Sequence, residues 1–184
     1  MITLRLALLV IFIGLLIPWP GRAEELRLLS LAVRGSVSAE TMLGDDAPEE
    51  NDAYDLALNV GLPWDHYGVS GWGVGTRLMM SVGVLQGDGE NALVVSLVPS
   101  FALGSKDGRF TLDLGAGVAY SSRYRFGEQD FGGPFQFALT VGAGFPLYQR
   151  LGAGYRFMHY SDAGAHGSHT TGADIHMVEF SYRF

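Results

Sequence analysis

The sequence predicts an all-β fold, an eight-stranded antiparallel β-barrel that spans the bacterial outer membrane. Eight segments alternate large apolar residues with small or polar ones, and an aromatic residue ends the chain. Segments of about ten residues with this period of two are typical of transmembrane strands. Glycine is abundant, at 26 of 184 residues, without a collagen-like repeat. Small residues suit the interior of an eight-stranded barrel, which is narrow enough for side chains to fill.

Residues 1–23 are predicted to be a secretory signal peptide, which leaves residues 24–184 as a single barrel domain. A basic residue precedes the apolar run at residues 6–17, which is too short to cross a bilayer as a helix, and Ala23 stands at the expected cleavage point. Removing the two arginines of this segment changes the net charge from −7 to −9, which argues against nucleic acid as a partner. The chain has no cysteine, so neither a disulfide framework nor a thiolate metal site is expected.

The first four strands are predicted from alternation alone. Residues 29–36 alternate Leu and Val with Ser, Ala and Arg, and residues 54–62 alternate Tyr, Leu and Val with Asp, Ala, Asn and Gly. Residues 71–84 give the clearest pattern, and residues 93–102 set Leu, Val and Phe mainly against Ser and Ala. Because successive residues of a strand point to opposite faces, each strand has one large apolar face and one small or polar face.

The last four strands follow the same rule. Residues 110–120 and 135–145 oppose Phe, Leu and Val to Gly, Ala and Thr, and residues 150–161 do so with Arg added to the small face. Residues 173–184 alternate to a terminal Phe184, as expected for the closing strand of an outer-membrane barrel. An even strand count places both termini on the periplasmic side.

Polar residues on the small face should form a network in the lumen, because buried charges need partners. The expected members are Arg34, Asn59, Arg77, Asp113, Gln136, Arg156 and Glu179. The predicted periplasmic turns are residues 63–69, 103–109 and 146–149. The predicted outer loops are residues 40–53, 87–91, 121–133 and 162–172. The first of these loops is strongly acidic, and we interpret it as solvated rather than as a divalent-ion site.

Three residues at the outer end of the last two strands are the candidate catalytic group. His159 and Ser161 share the lipid-facing side of the seventh strand, and Asp174 opens the eighth strand on that same side. A serine hydroxyl becomes a nucleophile when a base removes its proton, imidazole does so near neutral pH, and a carboxylate orients the imidazole. The turn after Ser161 offers backbone N–H groups for an oxyanion, with Gly164 able to adopt unusual φ angles.

Ordinary structural explanations exist for the same three residues, as an interfacial histidine, a strand end and a loop-end charge. Their position on one lipid-facing stripe favours the catalytic interpretation. A metal site formed by His166, His169 and His176 matches no strong ligand spacing, and no metal or other cofactor is predicted. The glycine-rich run at residues 71–75 opens no helix, so it is not interpreted as a nucleotide loop.

The motif His-Tyr-Ser-Asp-Ala-Gly at residues 159–164, followed by Gly-Ala-Asp at residues 172–174, resembles the PagL family of lipid A 3-O-deacylases. A weaker likeness extends over most of the mature chain, including residues 131–137. The resemblance implies an eight-stranded barrel that removes the ester-linked acyl chain at the 3 position of lipid A without a metal. It implies that Ser161 is the nucleophile, His159 the base and Gly164 an oxyanion-hole residue.

The chain departs from the family pattern at the site itself. Asp162 stands where the family usually has Asn, and Asp174 stands where it has Glu. The segment between Ser161 and Asp174 is one residue longer, and His169 or Thr170 occupies the region of a family loop Asn. The charge of Asp162 is expected to hinder an oxyanion beside it.

The function predicted from the resemblance is that of an outer-membrane serine esterase acting on lipopolysaccharide. Its active site would face the outer leaflet, where lipid A lies against the barrel wall. A homodimer is left open as the assembly. Two alternatives remain, a non-catalytic barrel for adhesion or membrane integrity, and a lipid A enzyme such as an acyltransferase with its chemistry in the lumen.

Overall fold

A computed structural model describes residues 26–37, 43, 51–167 and 170–184. The predicted signal peptide and most of the first outer loop lie outside these residues. Within them the β-strands, in chain order, are β1 (Arg27–Ser36), β2 (Asp52–Tyr67), β3 (Trp72–Gly87), β4 (Glu90–Ser105), β5 (Thr111–Ser121), β6 (Arg125–Phe126), β7 (Gln129–Asp130), β8 (Phe135–Tyr148), β9 (Leu151–Ser161) and β10 (Ala173–Arg183). In this described part of the chain, no helix is long and apolar enough to cross a membrane.

Eight of the strands close into a barrel, in the order β1-β10-β9-β8-β5-β4-β3-β2. Closure comes from the antiparallel pairing of the first and last strands, from Ser30 opposite Arg183 to Ser36 opposite Met177. The predicted eight-stranded antiparallel barrel is therefore confirmed. Strands β6 and β7 form a separate hairpin in the predicted loop 121–133. They are too short, at two residues each, to leave a period-two signal in the sequence.

The barrel exposes its large apolar side chains and buries its small and polar ones. Exposed large apolar residues occur on every barrel strand, with Leu114 at 64% and Phe180 at 60% exposure. The inward positions are filled instead by residues such as Met79, Met158 and Met177, each at most 2% exposed. An apolar exterior around a filled interior is the arrangement that a lipid-facing barrel wall requires.

Two sets of ion pairs hold the lumen together. The Arg34 guanidinium donates two hydrogen bonds of 2.6 Å to the Asp55 carboxylate. Arg156 donates to Asp113 at 2.7 and 3.1 Å and to Glu179 at 3.3 Å. The predicted lumen network is present in part among the described residues: Arg34, Arg156, Asp113 and Glu179 are ion-paired, with Asp55 as a partner that the prediction did not include.

Three predicted turns are shorter than expected, and in two of them the strand continues through a proline. Strand β2 runs past Pro63, and β8 runs past Pro146. Each proline lies at a register shift, where a missing N–H removes no regular ladder bond. The predicted turns 63–69 and 146–149 are thus mostly strand, and β4 similarly extends to Ser105 in the predicted turn 103–109.

A bulge in β1 corrects one predicted side-chain direction. The pairing of β1 with β2 shifts between Leu28 and Ser30. Leu29 therefore packs beside Gly61, where its Cδ2 atom is 3.4 Å from the position a Cβ atom would take. Leu29 also lines a cavity of about 270 Å³ at the terminal end of the lumen. It was predicted to face lipid, and that prediction is wrong because the bulge puts two successive residues on one face.

Candidate active site

His159 and Asp174 are direct partners across the β9–β10 ladder. Their side chains share the outward face, and His159 Nδ1 lies 2.6 Å from Asp174 Oδ1. Both side chains are shielded, at 11% and 2% exposure. An imidazole that donates from Nδ1 to a carboxylate keeps Nε2 as an acceptor for a hydroxyl proton. The structure thus brings together the predicted base and the predicted acid.

The carboxylate of Asp174 is fixed on both oxygen atoms. While Oδ1 contacts His159, Oδ2 accepts a hydrogen bond of 2.6 Å from the Leu43 N–H. Leu43 lies in the connection between β1 and β2, so a residue distant in sequence contacts the acid. Directly opposed residues of an antiparallel pair have Cβ atoms about 4.5–5.5 Å apart. This proximity explains how an aspartate can reach the histidine without the extra methylene of glutamate.

Ser161 is the last residue of β9, two residues after His159, and lies opposite Phe137 of β8. Among the described residues no hydrogen bond joins Ser161 to His159. The His159 ring nevertheless lies over Gly172, the residue just before β10. It is therefore displaced toward the end of β9, where Ser161 lies. A Cβ atom on Gly172 would be 2.9 Å from His159 Cε1 and 3.5 Å from Nε2. Contacts between nucleophile and base are often loose before a substrate tightens them.

The turn after Ser161 has an unusual backbone. Ala163 has φ of 52° and Gly164 has φ of 72°, so two successive residues are left-handed. This conformation is uncommon for a residue with a Cβ atom, and such strain concentrates at functional sites. The Gly164 N–H, predicted to serve an oxyanion, donates to Asp162 Oδ1 at 2.8 Å.

Asp162 is the centre of this turn. Its Oδ1 also accepts from the Thr170 hydroxyl at 3.0 Å, while its Oδ2 contacts the N–H and Nδ1 of His166 at 2.8 and 3.2 Å. Burial alone would raise the pKa of Asp162, but these hydrogen bonds outweigh it and hold the pKa below its usual value. The carboxylate is turned into its own loop, where four donors share its charge.

The β6–β7 hairpin supports the segment that leads into β10. Gln129 Nε2 donates to the Gly172 carbonyl at 2.9 Å, and the Thr171 N–H donates to the Asp130 carbonyl at 2.9 Å. Gly132 approaches so closely that a Cβ atom there would lie 2.6 Å from Asp162 Oδ2. These contacts could not be predicted from the sequence, because they join segments far apart in the chain.

The remaining histidines do not form a metal site in the described part of the chain. His176 packs against Phe157, with ring centroids 5.1 Å apart, and is hydrogen-bonded to the Tyr155 hydroxyl. His166 contacts Asp162, whereas His169 lies outside the described residues. No group of three or more His, Cys, Asp or Glu side chains among the described residues is arranged to hold a metal ion.

A model of the family described as "Lipid A 3-O-deacylase (PagL)" matches residues 52–183. The chain belongs to the PagL family. The "Lipid A deacylase PagL" of Bordetella bronchiseptica is 32% identical over 89 residues, which cover 48% of this chain and 49% of that relative. The alignment therefore spans about half the length of the Bordetella protein.

Other PagL proteins match over more of the chain. The "Lipid A deacylase PagL" of Pseudomonas aeruginosa is 26% identical over 153 residues, which cover 75% of this chain and 88% of that relative. A crystal structure of the outer membrane enzyme PagL has a TM-score of 0.65 at 20% identity, and covers 86% of this chain and 100% of that chain. This structural likeness supports the barrel fold. The family predicted from residues 159–164 and 172–174 is confirmed, and it is a family of ester hydrolases.

Proposed function

We propose that this chain is a lipid A 3-O-deacylase that works as a serine hydrolase. Ser161 is the nucleophile, His159 the general base and Asp174 the acid that orients the base. The observation that carries the proposal is the 2.6 Å contact between His159 Nδ1 and Asp174 Oδ1 on the outer wall of the barrel. A buried, hydrogen-bonded imidazole–carboxylate pair beside a serine is the arrangement that activates a hydroxyl.

The reaction follows in two steps. His159 Nε2 takes the proton of Ser161 as Oγ attacks the ester carbonyl, and the imidazolium is stabilised by Asp174. The C–O bond to the sugar then breaks, and the sugar hydroxyl leaves with the proton from His159. In the second step His159 activates a water molecule, which hydrolyses the acyl-serine ester and releases the fatty acid.

Gly164 is assigned to the oxyanion hole in this proposal. Its amide follows the nucleophile by three residues and donates to Asp162 at rest. As negative charge develops on the substrate carbonyl oxygen, the Gly164 amide would donate to that oxygen as well as to Asp162. Fixed backbone donors aimed at such an oxygen contribute about 10²–10³-fold to the rate of acyl transfer.

The proposed location is the outer membrane, with the active site facing the outer leaflet. The site lies at the loop end of β9 and β10, away from the end where β1 begins and β10 stops. Its outward position lets an acyl ester approach from the bilayer without a tunnel. The proposal includes removal of residues 1–23 as a signal peptide and residues 24–184 as the membrane-embedded barrel. One chain carries all the proposed site residues, so the reaction does not require a homodimer.

The proposal is tested by mass spectrometry of lipid A from cells that express the parent, Ser161→Ala or Ser122→Ala. Ser122 is an exposed serine of another loop, and its variant is the matched control. We expect the parent and Ser122→Ala to remove one ester-linked acyl chain from the 3 position, and Ser161→Ala to remove none.

Heat-dependent migration on gels should show that all three barrels are folded. Unchanged lipid A with a folded parent would favour the non-catalytic barrel instead. Deacylation that survives in Ser161→Ala would rule out the serine mechanism. The charged lumen side chains of the Arg34–Asp55 pair and of the Arg156 cluster are already paired, and this favours a structural role over lumen chemistry.

A further inference from the structure

The carboxylate that follows the candidate nucleophile is extensively hydrogen-bonded to other described residues. The Asp162 side chain is 4% exposed and contacts four donors from three residues. Two of those three residues, Gly164 and His166, lie within its own turn. The third, Thr170, lies beyond the turn on the path to β10. One side chain thus ties the end of β9 to the approach of β10.

This network controls the part of the backbone that the chemistry needs. Ala163 and Gly164 are both left-handed, a conformation that costs energy for a residue with a Cβ atom. The hydrogen bonds of Asp162 to Gly164 and His166 bracket these residues and offset that cost. The neighbouring Gly132 leaves room for the carboxylate, since any larger residue would collide with Oδ2.

A carboxylate can do this where an amide cannot. The Oδ1 atom of an asparagine could still accept from Gly164 and Thr170. Its Nδ2 group would meet the His166 N–H donor to donor, and that bond would be lost. The hydrogen bond from His166 to Oδ2 therefore depends on aspartate, whose two carboxylate oxygens both accept hydrogen bonds.

We propose that Asp162 is a positioning residue for the deacylation reaction, which holds the Ser161–Gly164 turn in its reactive geometry through His166 and Thr170. The inference deepens the proposed function and depends on it. It reverses the expectation that Asp162 hinders the reaction. The carboxylate supports the turn, and hydrogen-bond donors of its own loop stabilise its negative charge.

The chain offers a matched control in the turn between β4 and β5. Asp107 there accepts hydrogen bonds from Ser105 Oγ at 2.6 Å and from the Arg109 N–H at 3.1 Å. It is also a turn aspartate with backbone and hydroxyl donors, but it is exposed and lies at the other end of the barrel. Asp107→Ala removes the same kind of interaction without touching the site.

The experiment measures kcat and KM for lipid A deacylation by purified, folded parent, Asp162→Ala, Asp162→Asn, Thr170→Val and Asp107→Ala. We expect kcat of Asp162→Ala to fall about 10- to 100-fold with KM within about twofold, since small displacements of reacting groups have effects of this size. Asp162→Asn, which keeps the Gly164 and Thr170 bonds, should recover part of the loss. Thr170→Val should show a smaller decrease, and Asp107→Ala should match the parent.

Normalising activity to the folded fraction separates positioning from stability. If folded Asp162→Ala has the kcat and KM of the parent, Asp162 is only structural and the inference is wrong. A rise in kcat would also overturn it, because Asp162 would then compete with the substrate for the Gly164 amide. Should Asp162→Ala fail to fold, the kcat of Thr170→Val and Asp162→Asn decides, and parental values for both would refute the inference. A folded parent with no Ser161-dependent activity would refute the proposed function itself, and this inference with it.

Discussion

Both the lumen and the outer wall contain a buried basic side chain paired with a carboxylate. The basic side chain is arginine in the lumen and histidine on the outer wall. Inside the barrel, Arg34 contacts Asp55 at 2.6 Å, and on the outer wall His159 contacts Asp174 at the same distance. A guanidinium stays charged at every physiological pH and binds a carboxylate through a rigid planar fork. An imidazole gains and loses a proton near neutral pH.

Under the proposed function, this difference separates a structural pair in the lumen from a pair on the outer wall that takes part in the reaction. An arginine pair in the lumen fixes strands and cannot pass a proton to a substrate. A histidine pair on the wall needs its own support, here the Leu43 amide and the ladder, and can exchange a proton. Bonding distance and burial alone do not distinguish the two roles, whereas the proton chemistry of the base does.

The largest expected effect comes from neutralising the outer carboxylate. In Asp174→Asn the amide no longer stabilises the imidazolium and can hold His159 in the wrong tautomer, so kcat should fall by about 10⁴-fold. Asp174→Glu, which restores the usual family acid, should keep far more activity. Steady-state kinetics on lipid A measure both variants. Equal activity of Asp174→Asn and the parent would remove Asp174 from the proposed triad.

Breaking a lumen pair should affect stability instead of chemistry. Arg156→Met leaves the carboxylates of Asp113 and Glu179 buried without their shared cation, which costs about 3–5 kcal/mol for pairs of this kind. Urea titration of the barrel in detergent or lipid measures the loss. The remaining folded protein should keep the parental kcat. A large decrease in kcat of folded Arg156→Met would mean that the lumen takes part in the reaction.

Filling the space beside His159, the proposed general base, should have a moderate effect. Gly172→Ala places a Cβ atom 2.9 Å from His159 Cε1 and 2.9 Å from the Tyr160 carbonyl oxygen. The ring or the backbone must shift, and we expect kcat to fall about tenfold, as small misplacements of catalytic groups do. Gly68→Ala is the control, because a Cβ atom there would lie 3.7 Å or more from its neighbours and the residue has no part in the site. An unaffected Gly172→Ala enzyme would show that the orientation of His159 is not critical.

The smallest effect is a pH dependence at Asp162. Its pKa in the folded protein lies below the ordinary value, because the donors around it outweigh burial. The stability it contributes is therefore fully present above the ordinary aspartate pKa of about 4 and is lost as pH falls through the lower folded value. The difference in unfolding free energy between the parent and Asp162→Asn should be constant above about pH 4 and narrow below it. A difference that grows on acidification would contradict the network around Asp162.

Much of the barrel could be predicted because the chain alternates every second residue. The eight strands, their lipid-facing sides and most lumen partners follow from that period. The strand ends at Pro63 and Pro146 could not be predicted in the same way. Proline is a turn signal in the sequence, and only the neighbouring strand shows that a register shift accommodates it.

The pairing of two candidate site residues could be predicted from the sequence. The surrounding contacts that hold the site residues in place could not. His159 and Asp174 share parity and adjacent strands, so their meeting follows from topology. The contacts of Leu43, Gln129 and Thr170 depend on how three loops fold against each other. Loop conformation has no periodic signal, so the hydrogen bonds of Asp162 could not be predicted from the sequence.

The most direct test of the central claim is to label the purified barrel with a lipid phosphonate and to locate the adduct by peptide mass spectrometry. A tetrahedral phosphonate resembles the transition state of ester hydrolysis and reacts with an activated serine. We predict one adduct, on Ser161, that forms in step with the loss of lipid A deacylation and much more slowly in His159→Ala. Loss of activity with the adduct elsewhere, or full labelling of Ser161 with activity retained, would contradict it.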